Sequence, residues 1–192
     1  MTTRYIALDC ESGGVTTDFT LLTVAFVALD EQLNELDSLH LKLKPVDGVY
    51  KVAAKKGNGI AINGIDLVKH DAEAVTLKDG YNQLKHFLDY HNPNGDIKLI
   101  PIGHNVKFDV DFLKAHLLND SGLWTQYVSY RVLDTATIAQ WLKLADKMPD
   151  SVSGSLQSIL DHYELTDVKN DHTALGDARA TVFAIKAMLW DT

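Results

Sequence analysis

The sequence predicts one α/β domain spanning residues 1–192, with a mixed central β-sheet flanked by α-helices. Two observations predict it. Three β-forming segments joined by short polar turns lie within the first 44 residues, and helical spacing interleaved with strand-like runs occupies the rest. Composition agrees with a packed domain, since 46% of the residues are hydrophobic and 23% charged in a chain long enough to bury a substantial core.

Each element has a local reason. Tyr5 to Leu8 is a short apolar run, and Thr20 to Leu29 (TLLTVAFVAL) is dense in β-formers. Asp30-Glu31-Gln32 supplies a turn, and Leu36 to Lys44 alternates apolar with polar from Leu39 onward, as a half-exposed strand does. These three strands are expected to pair antiparallel, the simplest pairing that tight turns allow. Pro45 to Asn63, with Gly48, Gly57 and Gly59, reads as an irregular connection. Leu77, Tyr81, Leu84 and Leu88 form one helical stripe, closed by Asn92-Pro93-Asn94-Gly95. Ile97 to Ile102 reads as a strand, and Gly103-His104-Asn105 leads into a helix carrying Val110, Leu113 and Leu117. Val128 to Leu133 suits a further short strand. Asp134 stands where an N-cap belongs, ahead of inward-facing Ile138, Leu142 and Ala145. Ser155 caps a short helix reaching Tyr163, and Thr173 opens a last helix with Ala178, Val182, Ile185 and Leu189 inward.

The bulk numbers exclude several classes of function. A net charge of −8 argues against tight, nonspecific binding to a duplex, whose usual footprint is a basic surface. It leaves room for an enzyme that grips a short strand through metal ions. No apolar run approaches a membrane span, and no signal region precedes Tyr5. The single cysteine, Cys10, permits no internal disulfide. A cytoplasmic protein with no membrane partner is the expectation.

The chemistry begins at "LDCESGG", Leu8 to Gly14. Residues i and i+2 of a strand share a face, so Asp9 and Glu11 stand side by side while Cys10 points away into the core. Two adjacent acids at the end of an apolar strand repel each other unless something compensates them. Hard oxygen donors in such a cluster favour Mg²⁺ or Mn²⁺ over zinc. Two further acids hold comparable positions. Asp109 lies in the first turn of its helix within "GHNVKFDVDFL", where an acid also suits the helix dipole. Asp177 lies one turn into the last helix, in "DHTALGDARA", five residues after His172. Asp111 faces elsewhere and is expected to be solvated. His104 is expected to order its loop by a hydrogen bond; His40 sits in an alternating strand, His86 and His91 lie on a polar helix side, and His70, His116 and His162 carry no partner pattern.

Taken in order, "LDCESGG", "GHNVKFDVDF" and "HTALGDA" resemble the three exonuclease motifs of the DEDDh group of 3′→5′ exonucleases, and they span residues 7–178. "AINGID" (Ala61 to Asp66) resembles a segment that reads His-Gly-Ile in the group, and "SLQSIL" precedes the third motif as it does in relatives. The resemblance implies a ribonuclease H-like fold with Asp9, Glu11, Asp109 and Asp177 gathered at one edge of the sheet. It further implies two divalent ions, Mg²⁺ or Mn²⁺, whose charge of +4 balances four carboxylates, and His172 as the general base. Without metal, part of the cluster is expected to be protonated or disordered. The implied reaction removes nucleoside 5′-monophosphates from the 3′ end of single-stranded or frayed DNA or RNA. The resemblance also places Ser12, Gly13, Asn63, Asn105 and Phe108 around the terminal nucleotide. Asn63 replaces the usual histidine, and Ser12-Gly13 replaces two threonines. Lys51, Lys55 and Lys56 read as a solvated loop that can also guide a strand toward the acids.

Relatives include both homodimers and polymerase-bound monomers, and the short stretch after the last helix tilts the expectation towards a stand-alone enzyme. Two other readings compete. A catalytically idle module that binds strands or a polymerase is weakened by the presence of all five active-site residues. An iron centre built on one histidine and nearby carboxylates explains three residues and ignores the rest.

Overall fold

A computed structural model describes residues 2–53, 59–93, 95–119, 121–168 and 172–189. Among the described residues, six strands form one sheet, in which the order across the sheet is fourth, third, second, first, fifth and sixth along the chain. β1 (Tyr5–Ser12), β2 (Leu21–Leu29) and β3 (Glu35–Lys44) are antiparallel neighbours, as their turns predict. β5 (Ile100–Gly103) and β6 (Leu133–Asp134) then extend the sheet in parallel from β1, and β4 (Val75–Thr76) pairs in parallel with the end of β3. This is the mixed central sheet of an α/β domain that the sequence predicts.

Helices cover both faces. α3 (Leu77–His91), α4 (Val106–Leu113) and α5 (Leu123–Tyr127) pack with Ile6, Leu8, Cys10 and Phe26 into one core. On the other face α8 (Ala174–Leu189) lays Ala178, Val182 and Ile185 against Ala7, Val27 and Ile102. Its opposite side carries Ala180, Ala184 and Met188 against α6 (Thr135–Leu144) and α7 (Leu156–His162). The alanines let α8 sit between sheet and helices at short range. β2 is buried along its whole length because it lies mid-sheet and is covered twice, so its sequence shows no alternation.

Several boundaries differ from the sequence reading. β1 runs on through the acids to Ser12. The strand expected from Ile97 starts at Ile100, because the Asn92 side chain donates to the Ile97 carbonyl at 2.6 Å. The stretch Val128 to Leu133 divides into a single bridge from Val128 to Leu99 and the short β6. α1 (Ile60–Asn63), α2 (Leu67–Glu73) and α5 were not anticipated; α2 shows no apolar stripe, since Val68 is exposed and only His70 is buried. α4 continues into a π-helical turn at Lys114–Leu118. Ala145 and Leu189 are exposed, not inward, because Ala145 lies just past α6 and Leu189 is the last residue of α8. Lys55, Lys56 and Asn94 lie outside the described residues, and Lys51 is exposed. Among the described residues, no helix is long and apolar enough to cross a membrane.

Two caps do more than end a helix. Ser155 accepts from Ser158 N–H as expected. Asp134 accepts from Ala136 and Thr137 N–H through Oδ1, and its Oδ2 accepts from Val106 N–H at 2.9 Å. One carboxylate therefore caps α6 and fixes the start of α4, the helix that carries Asp109.

Candidate active site

The sheet face of β1 that carries Tyr5 and Ala7 continues upward to Asp9 and Glu11, while Cys10 points to the opposite core. α8 packs on that same face. Its sheet-facing stripe brings buried Asp177, one position before Ala178, to the level of the two acids. The result is a trio in which Asp9, Glu11 and Asp177 each offer a carboxylate oxygen within 4.8 Å of the others.

Asp109 arrives by a different route. β1 pairs with β5 only from Tyr5 to Ala7, so the upper edge of β1 has no strand beside it there. α4 starts just above β5, and Asp109 Oδ1 accepts the Cys10 N–H at 2.9 Å. The carboxylate thus satisfies a ladder donor that the parting strands leave open. It lies near Asp9 but outside the tight trio, facing the strand edge. The turn into α4 depends on two residues. A side chain at Gly103 would meet Val106 Cβ at 2.6 Å, and Asn105 takes the left-handed backbone (φ 58°) that asparagine tolerates.

Electrostatics follow from this crowding. Burial first, then the negative charges of Asp109, Asp177 and Glu11, push the Asp9 carboxyl well above its ordinary range. Burial likewise raises Asp109 to about 7, against the opposing hydrogen bond from Cys10. Cys10 is raised well above its ordinary value by burial and by the same acids, which makes it an inert core thiol. All-oxygen donors, mutual proximity and strained ionisation fit hard divalent cations. At Asp109 the folded, metal-free protein holds more of a proton than the unfolded chain between pH 3.8 and about 7. The stability that this carboxyl contributes is therefore fully present below its ordinary pKa and is lost as the pH rises through about 7. In thermal melts with chelator, we expect the midpoint to fall by roughly 5–10 °C from pH 5.5 to pH 8. Excess Mn²⁺ should recover most of that loss at pH 8 and little at pH 5.5. Parallel metal shifts at both pH values would show that the acids do not titrate against the cation.

Glu11 opens onto a cleft of about 360 Å³ between β3, α2 and the start of α8. His172 lines the same cleft and is exposed, with a positive φ of 55° where the chain enters α8. Asn63 also lines it, donating through Nδ2 to the Ser12 carbonyl at 3.4 Å and accepting from Ile65 N–H at 3.2 Å. The other expected nucleotide contacts are placed differently. Ser12 is buried and donates to the Gly14 carbonyl at 2.5 Å. Gly13 donates to the Thr20 carbonyl at 2.8 Å and accepts from Ala53 N–H at 2.7 Å, so a nucleotide contact through its main chain competes with two bonds. A side chain there would meet the Lys51 carbonyl at 2.2 Å, which explains the glycine by packing. Phe108 is half-buried against Phe112, with ring centroids 4.8 Å apart, and Asn105 is exposed.

His104 holds its loop as expected, with Nδ1 2.9 Å from Thr135 Oγ1. Asp111 is paired with Lys107 along the outer side of α4. His70, which the sequence leaves without a partner, is buried with Nε2 3.1 Å from the Leu43 carbonyl. Thr23, His40 and Lys42 in the cleft lining were not anticipated as site residues. Their signal is the cross-strand register, which appears only when the strands are paired.

No protein-family model matches the chain, and no curated protein matches it. Solved structures do. E. coli Exonuclease I in complex with a dT13 oligonucleotide superposes with a TM-score of 0.72 at 16% identity over 97% of this chain. A moderately thermophilic Exonuclease I from Methylocaldum szegediense gives 0.72 at 16% identity over 95%. A zinc-bound form of the E. coli Exonuclease I complex with single-stranded DNA gives 0.69 at 16% identity over 97%. The chain spans about 40% of the length of these proteins. At this identity the likeness shows the fold: the chain has the ribonuclease H-like exonuclease fold of Exonuclease I.

Proposed function

We propose that this protein is a metal-dependent 3′→5′ exonuclease of the DEDDh type, acting on single-stranded or frayed nucleic acid. The observation that carries the reading is the trio Asp9, Glu11 and Asp177, within 4.8 Å of one another at the mouth of a cleft that His172 also lines. The Exonuclease I fold around that trio supports it. So does the crowding of acids itself, since a partly buried cluster of carboxylates invites cations.

Asp9, Glu11 and Asp177 would hold two Mg²⁺ or Mn²⁺ ions, with Asp109 completing the set from the edge of β1. Bound there, the cations supply the positive charge that offsets the acids and polarises the scissile phosphate. The chain's own residues do the rest. Glu11 and Asp177 fix the trio from strand and helix, so its geometry is set before substrate arrives. Asp109 keeps the β1 edge from fraying beside it. His172, exposed at the cleft and outside the carboxylate trio, takes the proton from the attacking water. Asn63, anchored to the Ser12 carbonyl, offers its amide to the terminal nucleotide. The product is a nucleoside 5′-monophosphate.

The test is a 5′-labelled oligonucleotide incubated with the protein and Mg²⁺ or Mn²⁺. A ladder shortening from the 3′ end, abolished by chelator, is the expected result. Intact substrate that is nonetheless retarded on a gel would replace the enzyme with a binding module.

A further inference from the structure

Asp134 caps one helix and holds the start of another. It is the last residue of β6, and the register places it beside Gly103, the last residue of β5. Its Oδ1 accepts from Ala136 N–H at 2.9 Å and from Thr137 N–H at 3.2 Å, which caps α6. Its Oδ2 accepts from the N–H of Val106, the first residue of α4, at 2.9 Å. α4 has no side-chain cap of its own, because Asn105 at its N-cap position takes a left-handed backbone and makes no capping bond. The helix borrows one from a residue 28 positions further along the chain.

A cap within its own turn would stabilise α4 wherever the helix lay. A cap from β6 also fixes its place on the sheet. On the far side of β5, Asp109 accepts the Cys10 N–H of β1 at 2.9 Å. The first turn of α4 is therefore held from both flanks of β5, through Val106 on one side and Asp109 on the other. After burial, the charge of Asp134 adds to the upward push on the Asp109 carboxyl, so the two acids are close neighbours. That repulsion is a cost which capping alone does not require, since serine or asparagine caps a helix about as well. Only a carboxylate brings two acceptor oxygens and no donor, as serving two helices at once demands.

We propose that Asp134 is a positioning residue of the acidic site: by holding Val106 N–H it sets where Asp109 stands, and through Asp109 how tightly divalent cations are held. The inference rests on the exonuclease reading, in which Asp109 completes the ligand set. Removing an outer partner that orients a ligand commonly costs about 10–100-fold in metal affinity. Substitutions can separate the two roles of Asp134. Asparagine has one acceptor oxygen. Kept on Ala136 and Thr137, where it satisfies two donors, it turns its NH₂ group on Val106 N–H and breaks that tether alone. Serine has a single oxygen and likewise caps α6 without reaching α4.

Calorimetric titration of the full chain with Mn²⁺ tests it, in the wild type, Asp134→Asn, Asp134→Ser, Asp109→Asn and the double variant Asp109→Asn/Asp134→Asn. Asp134→Asn and Asp134→Ser should each weaken Mn²⁺ binding about tenfold or more. In the Asp109→Asn background, Asp134→Asn should cost less than about twofold, because its route to the cation is already cut. General destabilisation, or the mere loss of a negative charge, would instead weaken binding equally in both backgrounds. Hydrolysis of a 5′-labelled oligonucleotide by Asp134→Asn should need about tenfold more Mn²⁺ for half its maximal rate and recover toward wild type at saturation. Mn²⁺ affinity within about twofold of wild type in both Asp134 variants would overturn the positioning role, as would equal losses with and without Asp109. Loss of the fold in both variants would overturn it too, because Asp134 would then serve the fold and not the site. A wild-type chain that binds no Mn²⁺ overturns the metal-dependent reading itself, and the positioning role with it.

Discussion

Asp9→Asn is expected to abolish hydrolysis and, at the same time, to stabilise the metal-free protein. The two effects share one cause. Asp9 sits among Asp109, Asp177 and Glu11, whose charges together with burial push its carboxyl well above the ordinary range. Asparagine keeps the shape and removes the charge, so the remaining acids repel less. In chelator at pH 8 the midpoint of thermal unfolding should rise by roughly 2–6 °C. Activity should fall by at least about a thousandfold, because the central member of an all-oxygen ligand set is gone. The gain in stability from Mn²⁺ should shrink with it. Melts and turnover of the same preparation check both halves. A variant that is inactive but also less stable than wild type without metal would show that Asp9 serves the fold rather than a cation site.

His172 should separate chemistry from metal binding. Its loss should slow turnover by about 10²–10⁴-fold, the usual contribution of a positioned base. The stabilisation by Mn²⁺ should survive, since His172 is not one of the clustered carboxylates. The choice of substitution matters, because His172 has a φ of 55°, a left-handed backbone that asparagine tolerates better than alanine. His172→Asn therefore removes the base with little change to the entry of α8, and His172→Ala adds backbone strain. Equal rate losses in the two variants point to lost proton transfer. Turnover by His172→Asn within about tenfold of wild type would remove His172 as the base.

How much of this was legible in the sequence depends on the range of the interactions. The three antiparallel strands follow from β-forming runs and their turns, and the caps at Asp134 and Ser155 follow from residues a few positions apart. Asp9, Glu11, Asp109, His172 and Asp177 stood out through motifs whose spacing is local, and the resemblance that joined them also implied the fold. α2 stayed hidden because it buries one histidine and exposes its valine, which leaves no stripe to read. The expected backbone contacts at Gly13 show a different limit. A glycine next to acids reads equally as room for a ligand and as room for another loop, and only the packed chain shows the Lys51 carbonyl in that space.

By itself, then, the sequence determined the class of fold, the order of the acids along the chain and the strand face that Asp9 and Glu11 share, because each is set by neighbours within a turn or a strand. The tertiary structure alone decided that Asp109 turns to the Cys10 N–H where β1 and β5 part, that one Asp134 carboxylate ties α4 to α6, and that Thr23 and Lys42 fall in line with Glu11. Those arrangements depend on register and on the divergence of strands, which join residues tens of positions apart and leave no local trace.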